Sequence, residues 1–334
     1  MITYDKMTLD STGAFLVGEL ERLDQTLHEP LVSVTWGRDI DLREDVSIAD
    51  ESSSYTNSTF AAAGGMNSGG VGKSKNFIGK DSNSITGIAL DIGKTSSPLY
   101  LWGMEVSYTI PELLSAQQMG RPVDDQKFKA MQLKYQMDID EMVYIGDSGL
   151  TKYGLLNSTV VTSGFVATKT HGYTEWMSVG LTAAATPAEI LADVNALLNS
   201  CWSASGFAIC PSKLLLPPAQ FAYITSQTVS TAGNVSILKF LQDNSIALSV
   251  NGKALDIQPC KWLTGRGTVG GSPSNASERM VCYTQDKMRV RYPLVPLQRT
   301  PLEYRSIFHL TTYFGRLGVL EVVYPETLYF ADGI

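Results

Sequence analysis

The sequence predicts an α+β fold, and three features of the 334-residue chain support this prediction. First, apolar residues recur with helical spacing over 124–145. Second, strand-like segments flank a glycine-rich stretch between about residues 46 and 101. Third, helix and strand patterns alternate in the rest of the chain. Apolar residues make up 44% of the chain and charged residues 18%, which is enough to bury a sizeable core. At roughly 150 residues per domain, the length allows one large domain or two interleaved ones.

The first predicted element is an amphipathic helix that follows Ser11 and Thr12 and ends at Pro30. Serine and threonine are favoured helix caps, and proline cannot continue a helix. Its apolar stripe consists of Phe15, Leu16, Leu20, Leu23 and Leu27. The stripe must pack either on the chain's own core, which is the favoured interpretation, or on a neighbouring subunit.

A long hairpin is predicted next, between about residues 46 and 101, where eight glycines fall from Gly64 to Gly93. Its centre has too few large apolar side chains to form a core of its own. The flanks, 55–62 and 85–92, have the composition of strands. Because two strands leave one face unburied, we expect the hairpin to lie on a partner.

A helix about 33 Å long is predicted over 124–145, where apolar residues recur with a period of 3.6. Asp124 and Asp125 suit the positive end of the helix dipole, and Gly146 supplies the stop. Before this helix, Pro111 occupies the position of a first helical turn.

The rest of the chain is predicted to alternate helix and strand. Thr186 and Glu189 form a capping box with Pro187 at the first helical position. Short helices are predicted over 219–226 and 235–242, and strands over 207–210, 279–283 and 288–292. A hairpin is predicted in which 246–250 pairs with 255–258 through an Asn-Gly turn. A Gly/Ser loop is predicted over 264–277, and mostly strands in the last forty residues.

Composition argues against several classes of function. The net charge of −7 disfavours a surface built to grip nucleic acid and leaves only passive contact. No apolar run approaches the roughly 18 residues of a membrane-spanning helix, and no signal peptide is predicted. The four cysteines form no C-x-x-C pair and there are only three histidines, so neither a metal site nor a cofactor is predicted, and the thiols are expected to be buried and reduced.

Three motifs could carry chemistry, and each has a simpler interpretation. Residues 146–149, Gly-Asp-Ser-Gly, copy the string around a serine-protease nucleophile, but they follow a predicted helix, and the only upstream histidine is His28. Residues 67–74 nearly fit a phosphate loop, yet no helix pattern follows. Asp138, Asp140 and Glu141 lack an accompanying histidine, so we expect a solvated or subunit-facing helix face.

The order of elements, together with one segment, resembles a known family. That segment runs from S-Y-T-I-P-E-L at 107–113 through the long helix to Y-I-G-D-S-G-L-T-K-Y-G-L-L-N at 144–157. It resembles the major capsid proteins of tailed bacteriophages with the Hong Kong 97-type fold, in the branch formerly catalogued as a domain of unknown function. The resemblance implies an N-terminal arm at 1–45, an extended β-hairpin E-loop at 46–101, a peripheral (P) domain with a long spine helix at 102–175, an axial (A) domain at 176–295 and return strands of the P domain at 296–334.

The resemblance also implies a function. The chain would assemble with itself into hexamers and pentamers of an icosahedral phage head around double-stranded DNA, in the host bacterial cytoplasm, without enzymatic activity. Separate scaffolding and decoration proteins and a portal are possible partners, DNA contact would be non-specific, and no membrane is involved. An encapsulin-type nanocompartment shell and, from a different class, a cytosolic α+β hydrolase using Ser148 are the alternatives.

The candidate subunit-interface residues come from the arm, the hairpin tip and the long helix. They are Phe15, Leu20, Leu23, Met66, Lys73, Lys75, Phe77, Lys80, Asp138 and Glu141. Some members of the family crosslink an E-loop lysine to an asparagine of a neighbouring subunit, and the three lysines lie in the corresponding region.

Overall fold

The computed structural model describes residues 30–62, 80, 88–119, 123–177, 184–229, 235–269 and 272–334. The chain divides into two units. The smaller unit comprises Met1–Ser33, Glu105–Gln132 and Pro301–Thr311, and the larger comprises Val34–Met104, Leu133–Thr300 and Thr312–Ile334. The predicted arm helix lies outside the described residues.

Helices and strands alternate along the described residues. The helices are α1 Trp36–Asp39, α2 Ile110–Met119, α3 Val123–Tyr144, α4 Pro187–Ala204, α5 Pro218–Ser226, α6 Ile237–Asn244 and α7 Ile246–Asn251, with short 3-10 helices at Lys261–Leu263 and Pro325–Thr327. The strands are β1 Asp41–Arg43, β2 Ser52–Ala62, β3 Ile88–Pro98, β4 Tyr100–Thr109, β5 Thr162–Phe165, β6 Lys213–Leu216, β7 Asp256–Pro259, β8 Gly267–Val269, β9 Ser272–Ser277, β10 Arg279–Tyr283, β11 Val290–Arg299, β12 Glu303–Arg305, β13 Phe308–Leu317, β14 Glu321–Val322 and β15 Leu328–Asp332.

Strands β2 and β3 form the predicted hairpin, here called the ribbon (Ser52–Ala62 paired with Ile88–Pro98). The pairing is antiparallel and unbroken, from Ser52 opposite Pro98 to Ala62 opposite Ile88. Leu90 and Ile92 leave 55% and 62% of their surface exposed. Since they are two residues apart on one strand, they lie on the same face, which is therefore unburied and apolar.

The first core of the larger unit packs the long helix α3, the spine helix, against a sheet centred on β11. Strand β1 runs parallel to β11, while β14 and the second half of β13 run antiparallel to it. Ile139, Val143 and Tyr144 of the spine helix are fully buried in this cluster. The predicted spine helix is thus confirmed, with bounds one residue from those expected.

The second core of the larger unit lies around a sheet in the order β5-β15-β10-β6-β7. Helix α4 contributes buried Ile190, Val194 and Leu198 to it. The predicted capping box is confirmed, because the Thr186 hydroxyl accepts a hydrogen bond from the Glu189 amide and the Glu189 carboxylate accepts one from the Thr186 amide. All four cysteines are buried and unpaired, as expected.

The smaller unit contains α2, the start of the spine helix and a β12–β13 hairpin. The Lys127 ammonium lies 2.8 Å from a Glu112 oxygen and donates to the Ser107 carbonyl at 2.9 Å. Pro111 sits in the first turn of α2, as predicted. The Ile110 amide donates to the Ile307 carbonyl at 3.1 Å, which attaches the start of this helix to the turn of the hairpin.

The predicted strand at 207–210 is wrong. Gly206 and Phe207 both have positive φ, +66° and +62°, and form a turn in which Phe207 is exposed. The buried strand is instead Lys213–Leu216, whose four residues are all buried. An apolar pattern of four residues does not by itself fix which segment pairs, because pairing depends on distant strands.

The predicted hairpin of 246–250 with 255–258 is also wrong. Residues Ile246–Asn251 form helix α7, which Gly252 ends in the left-handed conformation at φ +69°. Strand β7 pairs in parallel with β6 instead. An Asn-Gly pair suits a hairpin turn and a helix C-terminus equally, since both require positive φ. The predicted loop at 264–277 contains two strands, β8 and β9, which pair antiparallel.

Glu189 supports a first prediction, on pH dependence. Hydrogen bonds from the Thr170 hydroxyl and amide, and then from Thr186, lower its pKa from 4.5 to about 2. The stabilisation is therefore fully present above pH 4.5 and is lost as pH falls through about 2. We expect Glu189→Gln to be less stable than the wild type near pH 6, with the difference shrinking toward pH 2, as measured by urea unfolding at each pH. A difference independent of pH would contradict this assignment.

Candidate functional site

The turn after the spine helix closes the helix end with backbone contacts. The amides of Leu155 and Leu156 donate to the carbonyls of Val143 and Tyr144 at 2.8 and 3.0 Å. Gly154 donates to the Ile145 carbonyl at 3.0 Å, and the Asn157 side-chain amide donates to the same oxygen at 2.8 Å. These bonds satisfy carbonyls that a helix end leaves open. Gly146, at φ +76°, starts the turn and is the predicted helix stop.

A cavity of about 360 Å³, the spine pocket, lies beside this turn. It is lined by the beginning of β4, the last turns of the spine helix and the turn that follows. The Trp102 indole donates to Asp138 at 2.9 Å, and Lys134 pairs with Asp138 at 2.5 Å. Glu141 and Asp147 complete the acidic lining. Two of the predicted interface residues, Asp138 and Glu141, are therefore brought to one cavity.

Ser148 also lies in this lining, in the turn after the spine helix. The turn interpretation of the Gly-Asp-Ser-Gly string is confirmed. A serine nucleophile needs an adjacent base, which histidine usually provides. Among the described residues, the lining of the spine pocket contains no histidine.

Asp140 is not solvated or subunit-facing, so that prediction is wrong for this residue. Its side chain is buried and joins three segments. One oxygen accepts hydrogen bonds from the amides of Thr35 and Trp36 at 2.9 and 3.1 Å. The other accepts from the Trp262 indole at 2.8 Å and lies 3.1 Å from the Lys261 ammonium. Asp140 thus caps helix α1 and fixes it to the spine helix and the Lys261–Leu263 turn.

Asp39, at the end of α1, forms a second buried cluster. Its carboxylate pairs with Arg38 at 2.7 Å and with the buried Lys213 ammonium at 3.1 Å, and it accepts a hydrogen bond from the Tyr144 hydroxyl. Burial raises the pKa of Tyr144, and the neighbouring Asp39 charge raises it further. The phenol therefore stays protonated and remains a donor to the carboxylate.

A third cluster anchors the ribbon at its root. The buried Glu321 carboxylate lies 2.7 Å from Arg291 and 3.3 Å from Arg43, and accepts a hydrogen bond from the Ser53 hydroxyl. Arg43 also donates to the Ser54 carbonyl at 2.9 Å. A hydrogen bond from Arg43 lowers the pKa of Asp45, which extends the network toward solvent. The direction in which the ribbon leaves the sheet is thereby fixed at its first residues.

The structure describes only some of the predicted interface residues. Lys80 is described and exposed, and Asp138 and Glu141 line the spine pocket. The others, together with the near-match to a phosphate loop at 67–74, lie outside the described residues: Phe15, Leu20, Leu23, Met66, Lys73, Lys75 and Phe77.

Sequence reasoning missed Asp39, Lys213 and Glu321. Two of them carry a recognisable signal, because Lys213 begins the run K-L-L-L and Glu321 interrupts L-E-V-V. A charged residue at the start of or inside a short apolar run is expected to be buried with a partner. Asp39 carries no such signal, because an Arg-Asp pair is ordinary in sequence and its buried partners, Tyr144 and Lys213, come from distant segments.

Two negative findings hold for the described part of the chain. No described helix has the length and apolar character needed to cross a membrane. No group of three or more His, Cys, Asp or Glu side chains among the same residues is arranged to hold a metal ion.

Comparisons with known proteins place these features in context. A family model described as "Major capsid protein" matches residues 73–334, which is well over half of the chain. A search of curated proteins finds no match.

Solved structures resemble the chain along nearly its whole length. The capsid of the Myoviridae phage XM1 has a TM-score of 0.71 and 16% identity, with 95% of this chain and 98% of that chain covered. The capsid of a native GTA particle has a TM-score of 0.57 and 12% identity, covering 97% and 98%. The SrpI encapsulin of Synechococcus elongatus PCC 7942 has a TM-score of 0.50 and 12% identity, covering 100% and 96%. These likenesses confirm the predicted α+β, Hong Kong 97-like fold.

Proposed function

Since this chain belongs to the major capsid protein family, we propose that its copies form the hexamers and pentamers of an icosahedral phage head that encloses double-stranded DNA. The family match over residues 73–334 is the observation that carries this proposal. The role is structural, and the chain is a component of a virion capsid. Its subunits assemble in the cytoplasm of the host bacterium.

The exposed ribbon supports self-association. A two-stranded ribbon has too little buried surface to be stable alone in water, and Leu90 and Ile92 lie on its exposed face. A neighbouring subunit would bury that face. The Glu321 cluster holds the root of the ribbon in one direction, so each copy presents the face in the same way. Repeated head-to-tail contacts of this kind close into rings.

The proposed domain boundaries follow the resemblance. The arm occupies 1–45, the E-loop 46–101, the P domain 102–175 with return strands at 296–334, and the A domain 176–295. The interface would use the arm, the hairpin tip and the end of the spine helix. A portal and separate scaffolding and decoration proteins are proposed partners. The net charge of −7 suits a container in which packed DNA must move, with only non-specific contact.

The proposal predicts that the full chain, expressed alone, forms large closed particles or rings of five and six subunits. Sedimentation and negative-stain microscopy of the clarified lysate measure this directly. A chain that stays monomeric, also with its neighbouring phage proteins present, would refute the proposal.

An encapsulin-type compartment is the second candidate, favoured by the likeness to SrpI. The contents of purified particles separate the two functions. Particles that package DNA when the phage proteins are present indicate a phage head, whereas particles that enclose a specific cellular protein indicate a compartment.

A further inference from the structure

The Asn-Gly pair at 251–252 contains a reactive combination of groups. The backbone nitrogen of Gly252 can attack the side-chain carbonyl carbon of Asn251, which expels ammonia and closes a cyclic imide. Glycine favours this step because no Cβ shields its nitrogen and its backbone turns freely. Asn251 is the one asparagine in the sequence that is followed by glycine. The pair is therefore the candidate site for spontaneous deamidation of this chain.

The native fold keeps the two reacting groups apart. The Gly252 amide donates to the Leu248 carbonyl at 3.0 Å, with Gly252 in the left-handed conformation at φ +69°. The Asn251 side-chain amide donates to the carbonyls of Cys210 and Pro211 at 3.2 and 3.4 Å. Ring closure must break these hydrogen bonds and turn the Gly252 nitrogen toward the Asn251 side chain. The folded chain is therefore expected to react slowly.

Helix α7, which ends at Asn251, is suited to local opening. It has six residues, of which Ala247 is the buried one. A helix this short is not stable by itself and depends on its packing. Asn251 and Gly252 are both exposed, so water reaches the pair as soon as the last turn frays. Such a turn can open without unfolding of the rest of the subunit.

Deamidation replaces a hydrogen-bond donor with an acceptor at this contact. A carboxylate has no N–H group, so the carbonyls of the buried residues Cys210 and Pro211 would face a negative charge. The same charge would lie at the last residue of α7, where the negative end of the helix dipole disfavours it. Cys210 and Pro211 lead into β6, a strand of the second core. The product therefore weakens the contact between α7 and the segment before β6.

We propose that Asn251 is a deamidation site gated by the opening of α7, and that the product no longer restores the native contact. A bond forms between the Gly252 nitrogen and Asn251 Cγ, the Cγ–Nδ2 bond breaks, and the amide proton of Gly252 leaves with ammonia. Water then opens the imide at either carbonyl, which gives a side-chain carboxylate or a backbone longer by one carbon. The site belongs to the single subunit, so it does not depend on the proposed function.

Incubation of the purified full chain at mildly alkaline pH, with and without denaturing urea, tests the gate. Peptide mass spectrometry measures the gain of about 1 Da as the amide becomes a carboxylate. We expect the rate at Asn251 to be about a hundredfold lower in the folded chain than in urea, because three hydrogen bonds must break first. Equal rates, or no gain of mass in urea, would overturn the inference.

A variant that loosens α7 tests whether the opening is local. Ser249 is exposed in the last turn of α7, and glycine there weakens the helix. We expect Ser249→Gly to deamidate about threefold faster at Asn251 in the folded chain. Ser203→Gly, the same change at an exposed serine in the last turn of α4, is the matched control and should leave the rate unchanged. Equal acceleration in both variants would refute a gate at α7.

The consequence of the reaction is tested with the carboxylate already in place. We expect Asn251→Asp to lower the folding equilibrium constant by about tenfold in urea unfolding. Asn244→Asp is the matched control, because Asn244 ends α6 and its side-chain amide donates to the Phe240 carbonyl of its own helix at 2.9 Å. The control should lose less than about threefold. Equal losses, or no loss in Asn251→Asp, would show that the product does not disturb the contact with Cys210 and Pro211.

Discussion

Replacing Gly154 by alanine should prevent the subunit from reaching its native fold. A Cβ atom at this position would lie 2.4 Å from the Tyr144 carbonyl carbon and 2.5 Å from the Ile145 nitrogen. Both atoms belong to the backbone at the end of the spine helix, so neither can turn aside as a flexible side chain could. The loop would have to withdraw, which removes its hydrogen bonds to Val143, Tyr144 and Ile145.

The loss extends beyond these hydrogen bonds. Leu155 and Leu156 follow Gly154 directly and are fully buried in the core around the spine helix. Withdrawal of the loop pulls both side chains from the core. We expect a destabilisation of about 5 kcal/mol or more, which is exceptional for a single substitution and comparable to the stability of a whole domain. Solubility, near-UV circular dichroism and urea unfolding of the full chain measure it.

Gly37→Ala is the matched control. No atom lies within 4 Å of a Cβ built at Gly37, which sits on the exposed surface of α1. Alanine there should leave stability unchanged or raise it slightly, by up to about 1 kcal/mol. A soluble Gly154→Ala chain with a wild-type unfolding midpoint would contradict the close backbone contact.

The turn after the spine helix can be predicted from the sequence, but the requirement for glycine at position 154 cannot. The family resemblance depends in part on residues 146–157, which begin with Gly-Asp-Ser-Gly and end with Gly-Leu-Leu-Asn. The end of the spine helix at Gly146 follows from local rules for helix ends. Position 154 requires glycine because its backbone packs against the backbone of Tyr144, ten residues earlier. These two backbone segments come together only in the folded chain. Local signals also sufficed for the Thr186 capping box, because all of its atoms lie within one helical turn.

The pairing of strands that are distant in the chain could not be predicted from the sequence. Strand β6 pairs with β10 and with β7; three helices separate it from β7 along the chain, and β7, β8 and β9 also precede β10. The apolar run at 213–216 therefore gave no local sign of its partners, and the Asn-Gly pair at 251–252 suited two different structures. The candidate site shows the same limit: Asp138 and Glu141 could be chosen as neighbours on one helix, whereas Tyr100, Leu101 and Trp102 join them only through the fold.

The second large effect on stability is expected from substituting a buried charged residue at the end of α1. Asp39→Asn should destabilise the subunit by about 3–5 kcal/mol, the range for removing one partner of a buried ion pair. Lys213 would keep its charge in a site where only 2% of its side chain is exposed, and its ammonium would lose the carboxylate at 3.1 Å. Arg38 would lose its paired hydrogen bonds to the same carboxylate.

Asp243→Asn provides the comparison for this substitution. Asp243 pairs with Lys239 at 2.8 Å, but the carboxylate side chain is 51% exposed, so we expect a loss below about 0.5 kcal/mol. Without Asp39, the Lys213 ammonium keeps only the more distant and half-exposed Asp256 carboxylate, at 3.4 Å. Combining Asp39→Asn with Lys213→Met should therefore recover part of the loss, because the double variant no longer buries an ammonium that has lost its nearer carboxylate. Urea unfolding of Asp243→Asn, Asp39→Asn, Lys213→Met, the double variant and the wild type measures both differences. Similar losses at positions 39 and 243, or a double variant as unstable as the sum of its parts, would show that the Asp39–Lys213 pair does not hold α1 to the core.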